Sequence, residues 1–121
     1  MRRVLTLAVA LSLVGGFALA NNLAPKKSVK EVMKGAFAGE TSLVKKVLSG
    51  EASDEDKKLF LDYLVDMVEN DAPKGDGIEW KVQSGTALLA AAKVVTGREG
   101  SLDELKAATN CKACHDKFKG K

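Results

Sequence analysis

The stretch "NCKACHDKFKGK" contains both cysteines and the single histidine of this 121-residue chain, all between Cys111 and His115. Two thiols three positions apart with an imidazole beside the second suit three chemistries: a redox dithiol, half of a zinc site, or a covalently held haem. A thioredoxin-like dithiol belongs at a helix start beside a βαβ pattern, and no run here alternates with period two long enough to supply strands. A structural zinc ion takes four ligands, and the chain has no second Cys or His pair to complete the set. Haem asks for nothing further from that inventory. Each thiol adds S–H across one vinyl group to give a thioether, and the adjacent imidazole coordinates the iron. The expectation is one haem c, bound through Cys111 and Cys114 with His115 as proximal iron ligand. The alternatives are a CxxC thiol redox protein, a helix-borne disulfide or an adventitious metal site.

Such a cluster works only if one element presents it. On a helix, the first, fourth and fifth positions of a run fall within an arc of about 100°, so Cys111, Cys114 and His115 face one object. Four segments carry the signature of a helix start, a capping side chain with an acid three positions on: Ser28 with Glu31, Ser53 with Asp56, Asp76 with Glu79, and Ser101 with Glu104. Glycines 50, 75, 97 and 120 punctuate the exits. Apolar residues recur at three and four positions behind each start: Val29 to Val47, Leu59 to Val68, Trp80 to Val95, and Leu105 to Phe118. Pro25 and Pro73 lie outside the expected helices, where they break nothing. Only Glu40 is a misfit, falling on the inward side of the first segment. Short connections, roughly four to eight residues, favour antiparallel neighbours. The expected fold is all-α, an up-down-up-down four-helix bundle with the cysteine cluster inside its fourth helix.

The N-terminal "MRRVLTLAVALSLVGGFALANNLAPKK" has two arginines, an apolar run, and Ala18-Leu19-Ala20 as a small-residue cleavage site. This is the layout of a secretory signal peptide, so residues 1–20 are expected to be removed and 21–121 to form one periplasmic domain with no stable membrane insertion. Losing Arg2 and Arg3 brings the formal charge of +3 close to neutrality. Bulk charge therefore implies neither nucleic acid nor a membrane surface as partner, and aromatic residues are too sparse for a base-stacking platform. A domain this small commonly requires a staple, for which the cluster is the candidate.

Only six residues follow His115, so the wall opposite the histidine has to come from earlier helices. A helical chain closed by a haem-bearing last helix resembles the class II c-type cytochromes, the cytochrome c prime family. "CKACHDKF" is similar to that family's C-terminal motif and "IEWK", Ile78 to Lys81, to its third-helix start. The resemblance implies Cys111 and Cys114 as thioether sites and His115 as proximal ligand. Lys119 and Val29 stand where the family often has arginine. Members have either an open or apolar distal side, or a methionine ligand from the first helix, and "EVMKG" aligns with the second form.

The spacing places Met33, five beyond Ser28, level with His115, five before Gly120, and makes it the expected distal ligand. Met67 near the end of the second helix is the rival, and either can instead be core filler. Phe37, Tyr63, Trp80 and Phe118 are expected as haem-packing walls. Lys112, Lys117, Lys119 and Lys121 ring the attachment helix, either steering an acidic periplasmic redox partner or forming an ordinary solvated face. No catalytic acid–base pair is evident, so electron transfer rather than enzymatic catalysis is expected. A five-coordinate haem binding NO or CO is the main alternative. A flat apolar helix face would permit a homodimer.

Overall fold

The computed structural model describes residues 25–120, and the segment read as a signal peptide lies outside them, as does Lys121. Among the described residues the secondary structure is entirely helical. Helix α1 spans Val29–Val32 and runs into a π turn, Met33–Phe37. Then come α2 (Leu43–Ser49), α3 (Asp54–Glu69), α4 (Gly77–Val95), α5 (Ser101–Ala108) and α6 (Cys111–Phe118). No described helix is long and apolar enough to cross a membrane.

Three of the four expected starts are capped by the side chains named. Ser28 Oγ accepts from the Glu31 amide while Glu31 returns a 2.7 Å bond to the Ser28 N–H, a reciprocal capping box. Ser53 accepts from the Asp56 amide, and Asp76 accepts from both Ile78 and Glu79. The bond from Ser28 holds the Glu31 carboxyl below its ordinary range. Because the folded value is the depressed one, this cap is intact above the ordinary carboxylate range and is lost as pH falls through the lowered value. Exchange protection of the Ser28 amide should therefore fade in acid before that of α3.

The fourth start differs from expectation. Gly100, at φ 75°, occupies the cap position, and Ser101 is buried as the first helical residue. Two further corrections concern continuity. The first segment breaks after Phe37, where Ala38 is extended and Gly39 takes φ 91°. Glu40, expected to face inward, is exposed in that turn, which removes the misfit. The last segment also breaks. Thr109 turns its hydroxyl back to the Leu105 carbonyl and Asn110 caps a new helix, so the cysteine cluster opens α6 instead of sitting inside a longer helix.

Side-chain bonds fix how these elements run. The start of α1 is tied to the end of α3 by Lys26 N–H to Asp66 Oδ1 (2.8 Å) and Asn70 Nδ2 to the Lys27 carbonyl (2.8 Å), while Phe37 meets Phe60 edge-on nearer the start of α3. The end of α3 accepts from the start of α4, through Trp80 Nε1 to the Asn70 carbonyl. Lys93 late in α4 pairs with Glu104 early in α5, and Gln83 early in α4 reaches Ala108 at the end of α5. Each pair is thus antiparallel. Val32, Phe60, Leu64, Trp80 and Leu105 are fully buried at the centre. Gly35 lies directly against the Tyr63 ring, where a β-carbon would collide, and this lets α1 approach α3 closely.

Asp66 is a buried carboxylate whose Oδ2 faces Lys27 Nζ at 3.6 Å without a hydrogen bond of its own. Asp66→Ala leaves the Lys26 amide without its acceptor and frees the lead-in to α1. A loss of about 1–3 kcal/mol is expected in urea unfolding, and Asp66→Asn should recover part of it.

Candidate functional site

The antiparallel order gathers the start of α1, the end of α3, the start of α4 and all of α6 at one end of the molecule. They line a largely apolar, half-open cavity of about 750 Å³. That lies within the range of small-molecule and cofactor sites, about 300–1,000 Å³.

One wall is α6. Asn110 Oδ1 accepts from the Ala113 amide at 3.1 Å and sets the first turn, so that Cys111, Cys114 and His115 all line the cavity, as their spacing on one helix requires. Cys111 and His115 are exposed and Cys114 is half-buried. Both cysteines are free thiols. Burial first, and then the neighbouring Cys111, push the Cys114 thiol up. Cys114 thus keeps its proton at neutral pH, and the exposed Cys111 should alkylate faster with iodoacetamide. The gap should narrow as pH rises and Cys114 ionises, which peptide mapping of partly labelled protein would measure.

The cavity is also lined by Val29, Met33 and Phe37 on α1 and its π turn, and by Leu64 and Met67 on α3. Both methionines therefore border the space that the cysteine helix borders. Met33 is half-buried and opens the π turn, closed by Ala38 N–H to the Met33 carbonyl at 2.9 Å. Met67 is 5% exposed and belongs to the core. Helix α4 contributes Trp80, Ser84 and Ala87. Ser84 donates to the Trp80 carbonyl and so turns no unpaired hydroxyl into the cavity. Ala87 leaves room a larger residue would fill.

Phe118 is the buried residue of α6 and packs on Trp80, rings 5.4 Å apart and near-perpendicular. Gly75, at φ 83°, lets the preceding loop run against the Lys117 carbonyl, where a β-carbon would come within 2.9 Å. Of the four aromatic residues expected as walls, Phe37, Trp80 and Phe118 line the cavity. Tyr63 stands apart, stacked on Gly35 with Lys27 Nζ 5.0 Å from its ring centre. Two features of the site escaped sequence reasoning. The Thr109-Asn110 break was signalled by an N-cap residue directly before Cys111. The π turn has no such local marker.

Lys30 and Lys119 stand at the rim, and Lys112 is engaged with Asp116 at 3.1 Å on the outer face of α6. The site therefore combines an apolar interior, two thiols and an imidazole on one helix, and two methionine thioethers at its border. Comparison with known proteins finds no matching family model, no matching curated protein and no matching solved structure.

Proposed function

We propose that this chain is a periplasmic mono-haem c-type cytochrome of the class II kind, a four-helix bundle that transfers single electrons. The observation that carries this reading is the alignment of Cys111, Cys114 and His115 along one wall of an apolar cavity of cofactor size. The donor set fits haem on both counts that matter. Two thiols on one helical face match two vinyl groups, and a cavity lined mainly by carbon suits a macrocycle whose faces are apolar.

A bound haem supplies an iron centre that cycles between ferric and ferrous states by one electron. Cys111 and Cys114 hold its edge as thioethers, which prevents loss of the cofactor from an exported protein. His115 serves as proximal ligand and Met33 as distal ligand, a His/Met pair that raises the potential relative to sites without the thioether. Trp80 and Phe37 exclude water, and this burial further favours the less charged ferrous form. Lys30 and Lys119 leave positive charge at the rim of the cavity, favouring an acidic redox partner at the nearby edge.

The test is export of the full chain in a host that matures c-type cytochromes, followed by intact mass spectrometry. The expected result is chain 21–121 plus the mass of one haem. Cys111→Ser with Cys114→Ser should give the bare polypeptide. A colourless wild-type protein with two titratable thiols would favour the thiol redox reading. High-spin ferrous iron in the unsubstituted protein would favour the five-coordinate gas-binding alternative.

A further inference from the structure

Helix α6 covers one side of the cavity and is fastened mainly at its ends. The chain before it is fixed as far as Ala108, by buried Leu105, the Lys93–Glu104 pair and the bond from Gln83 to the Ala108 carbonyl. Thr109 then leaves the helix at φ −103° and ψ 35°, and Asn110 is extended. At the far end Phe118 is buried against Trp80, Gly75 runs beside the Lys117 carbonyl, and Gly120 lies against Pro73. Between the ends only Cys114 is even half-buried.

The polar bonds of this segment are its own. Asn110 caps the Ala113 amide, Lys112 pairs with Asp116, and Cys111 Sγ points to the Thr109 carbonyl. Among the described residues no hydrogen bond or ion pair joins α6 to α1–α4. The segment therefore keeps its bonds when it moves. Releasing it breaks one aromatic contact and the packing of Gly75 and Pro73, whereas releasing α3 or α4 exposes Phe60, Leu64 or the whole of Trp80. Units held by so little open well before the global transition.

We infer that α6 is a hinged lid, swinging as one unit about Thr109–Asn110 when Phe118 leaves Trp80, and that this opening admits the ligand to the cavity. It bares Met33, Leu64 and Ala87 and carries the two thiols and His115 outward. A ligand that touches both α6 and those residues draws the lid shut, because it binds the closed form better. That the ligand is haem rests on the function proposed above; the motion itself does not.

The test uses the full chain exported from a host that does not mature c-type cytochromes, kept in reductant. In native-state hydrogen exchange the bonded amides of Cys114 and Lys119 should share one opening, at least about tenfold more frequent than that of α3 or α4. A β-carbon at Gly120 would stand 3.5 Å from that of Pro73, within the span of about 3.5–4.5 Å that a disulfide bridges. Pro73→Cys with Gly120→Cys, in a Cys111→Ser, Cys114→Ser background that leaves one possible pairing, should therefore latch the lid on oxidation. Latching should bring α6 exchange down to that of α4 and slow the uptake of added haem about tenfold or more, and reduction should reverse both. Amides of α6 that exchange only with α3 and α4, or that fray one by one at unrelated rates, would overturn the inference, as would a closed latch that leaves their exchange unchanged. Common opening abolished by the latch, with no haem bound in either state, would uphold the lid and count against the haem reading.

Discussion

Met33→Ala is expected to abolish the sulfur-to-iron absorption band that the proposed His/Met haem would show in the oxidised protein, while Met67→Ala leaves the band in place. The two methionines border the same cavity, so proximity alone does not separate them. Their surroundings do. Met67 is almost wholly buried in the core that joins α3 to its neighbours, where it has packing to satisfy. Met33 is half-buried and opens the π turn that ends the first helical segment, at the border of the cavity. A flexible thioether on a locally widened helix, facing a cavity, can reach a metal without vacating a core position. The costs should divide accordingly. Met67→Ala should lower stability by about 2–5 kcal/mol, as large-to-small changes in cores do. Met33→Ala should instead shift the iron toward high spin and lower the potential, because a thioether ligand favours the ferrous state. Visible and near-infrared spectra with urea titrations of both variants measure the two effects together. A band that persists in Met33→Ala and vanishes in Met67→Ala would transfer the ligand role to Met67.

The cluster and the presence of Met33 at the same cavity were legible in the sequence for different reasons. Cys111, Cys114 and His115 announce themselves by residue type, and helical geometry alone places them on one face. Met33 was reached through levels in an antiparallel arrangement, a coarser argument that needs only the helix starts to be right. Those at Ser28, Ser53 and Asp76 are right because a cap is a local event, a few atoms satisfying orphan amides. The fourth start moved to Gly100 because a left-handed glycine can hold the cap position and leave the next serine free to be buried. The breaks at Ala38 and Thr109 were hidden by apolar spacing that continues through them. Periodicity records which residues turn inward, and two short helices with similar inward faces leave the same trace as one long helix. Tyr63 was misplaced relative to the cavity for a related reason. Its height along α3 was readable, but its direction was set by the space above Gly35, which only the tertiary contact reveals.

The break at Thr109 gives Phe118→Ala the other large expected effect. Helix α6 has eight residues, too few to persist in water by propensity alone. Within the helix only Phe118 is fully buried, so its contact with Trp80 is the main apolar anchor for the segment that carries both thiols and the histidine. Truncating a buried phenylalanine costs about 3–5 kcal/mol, of which about 0.5–1.5 belongs to the edge-on aromatic pair itself. Here the loss should be local first. Asn110 can still cap the opening turn, but nothing then holds that turn against the cavity, and Cys114 loses the partial burial that pushes its thiol up. In haem-free protein, exchange protection across α6 should vanish while α3 and α4 stay protected, and Cys114 should alkylate nearly as fast as Cys111. In the exporting host, the haem-bearing fraction should fall steeply, since the thiols no longer share a fixed face. Phe118→Leu keeps an apolar anchor and should restore most of the protection and most of the loading. If Phe118→Ala leaves the protection of α6 unchanged, the helix is held by Gly75 and Pro73 against its C-terminal end, and the role given to the aromatic pair is wrong.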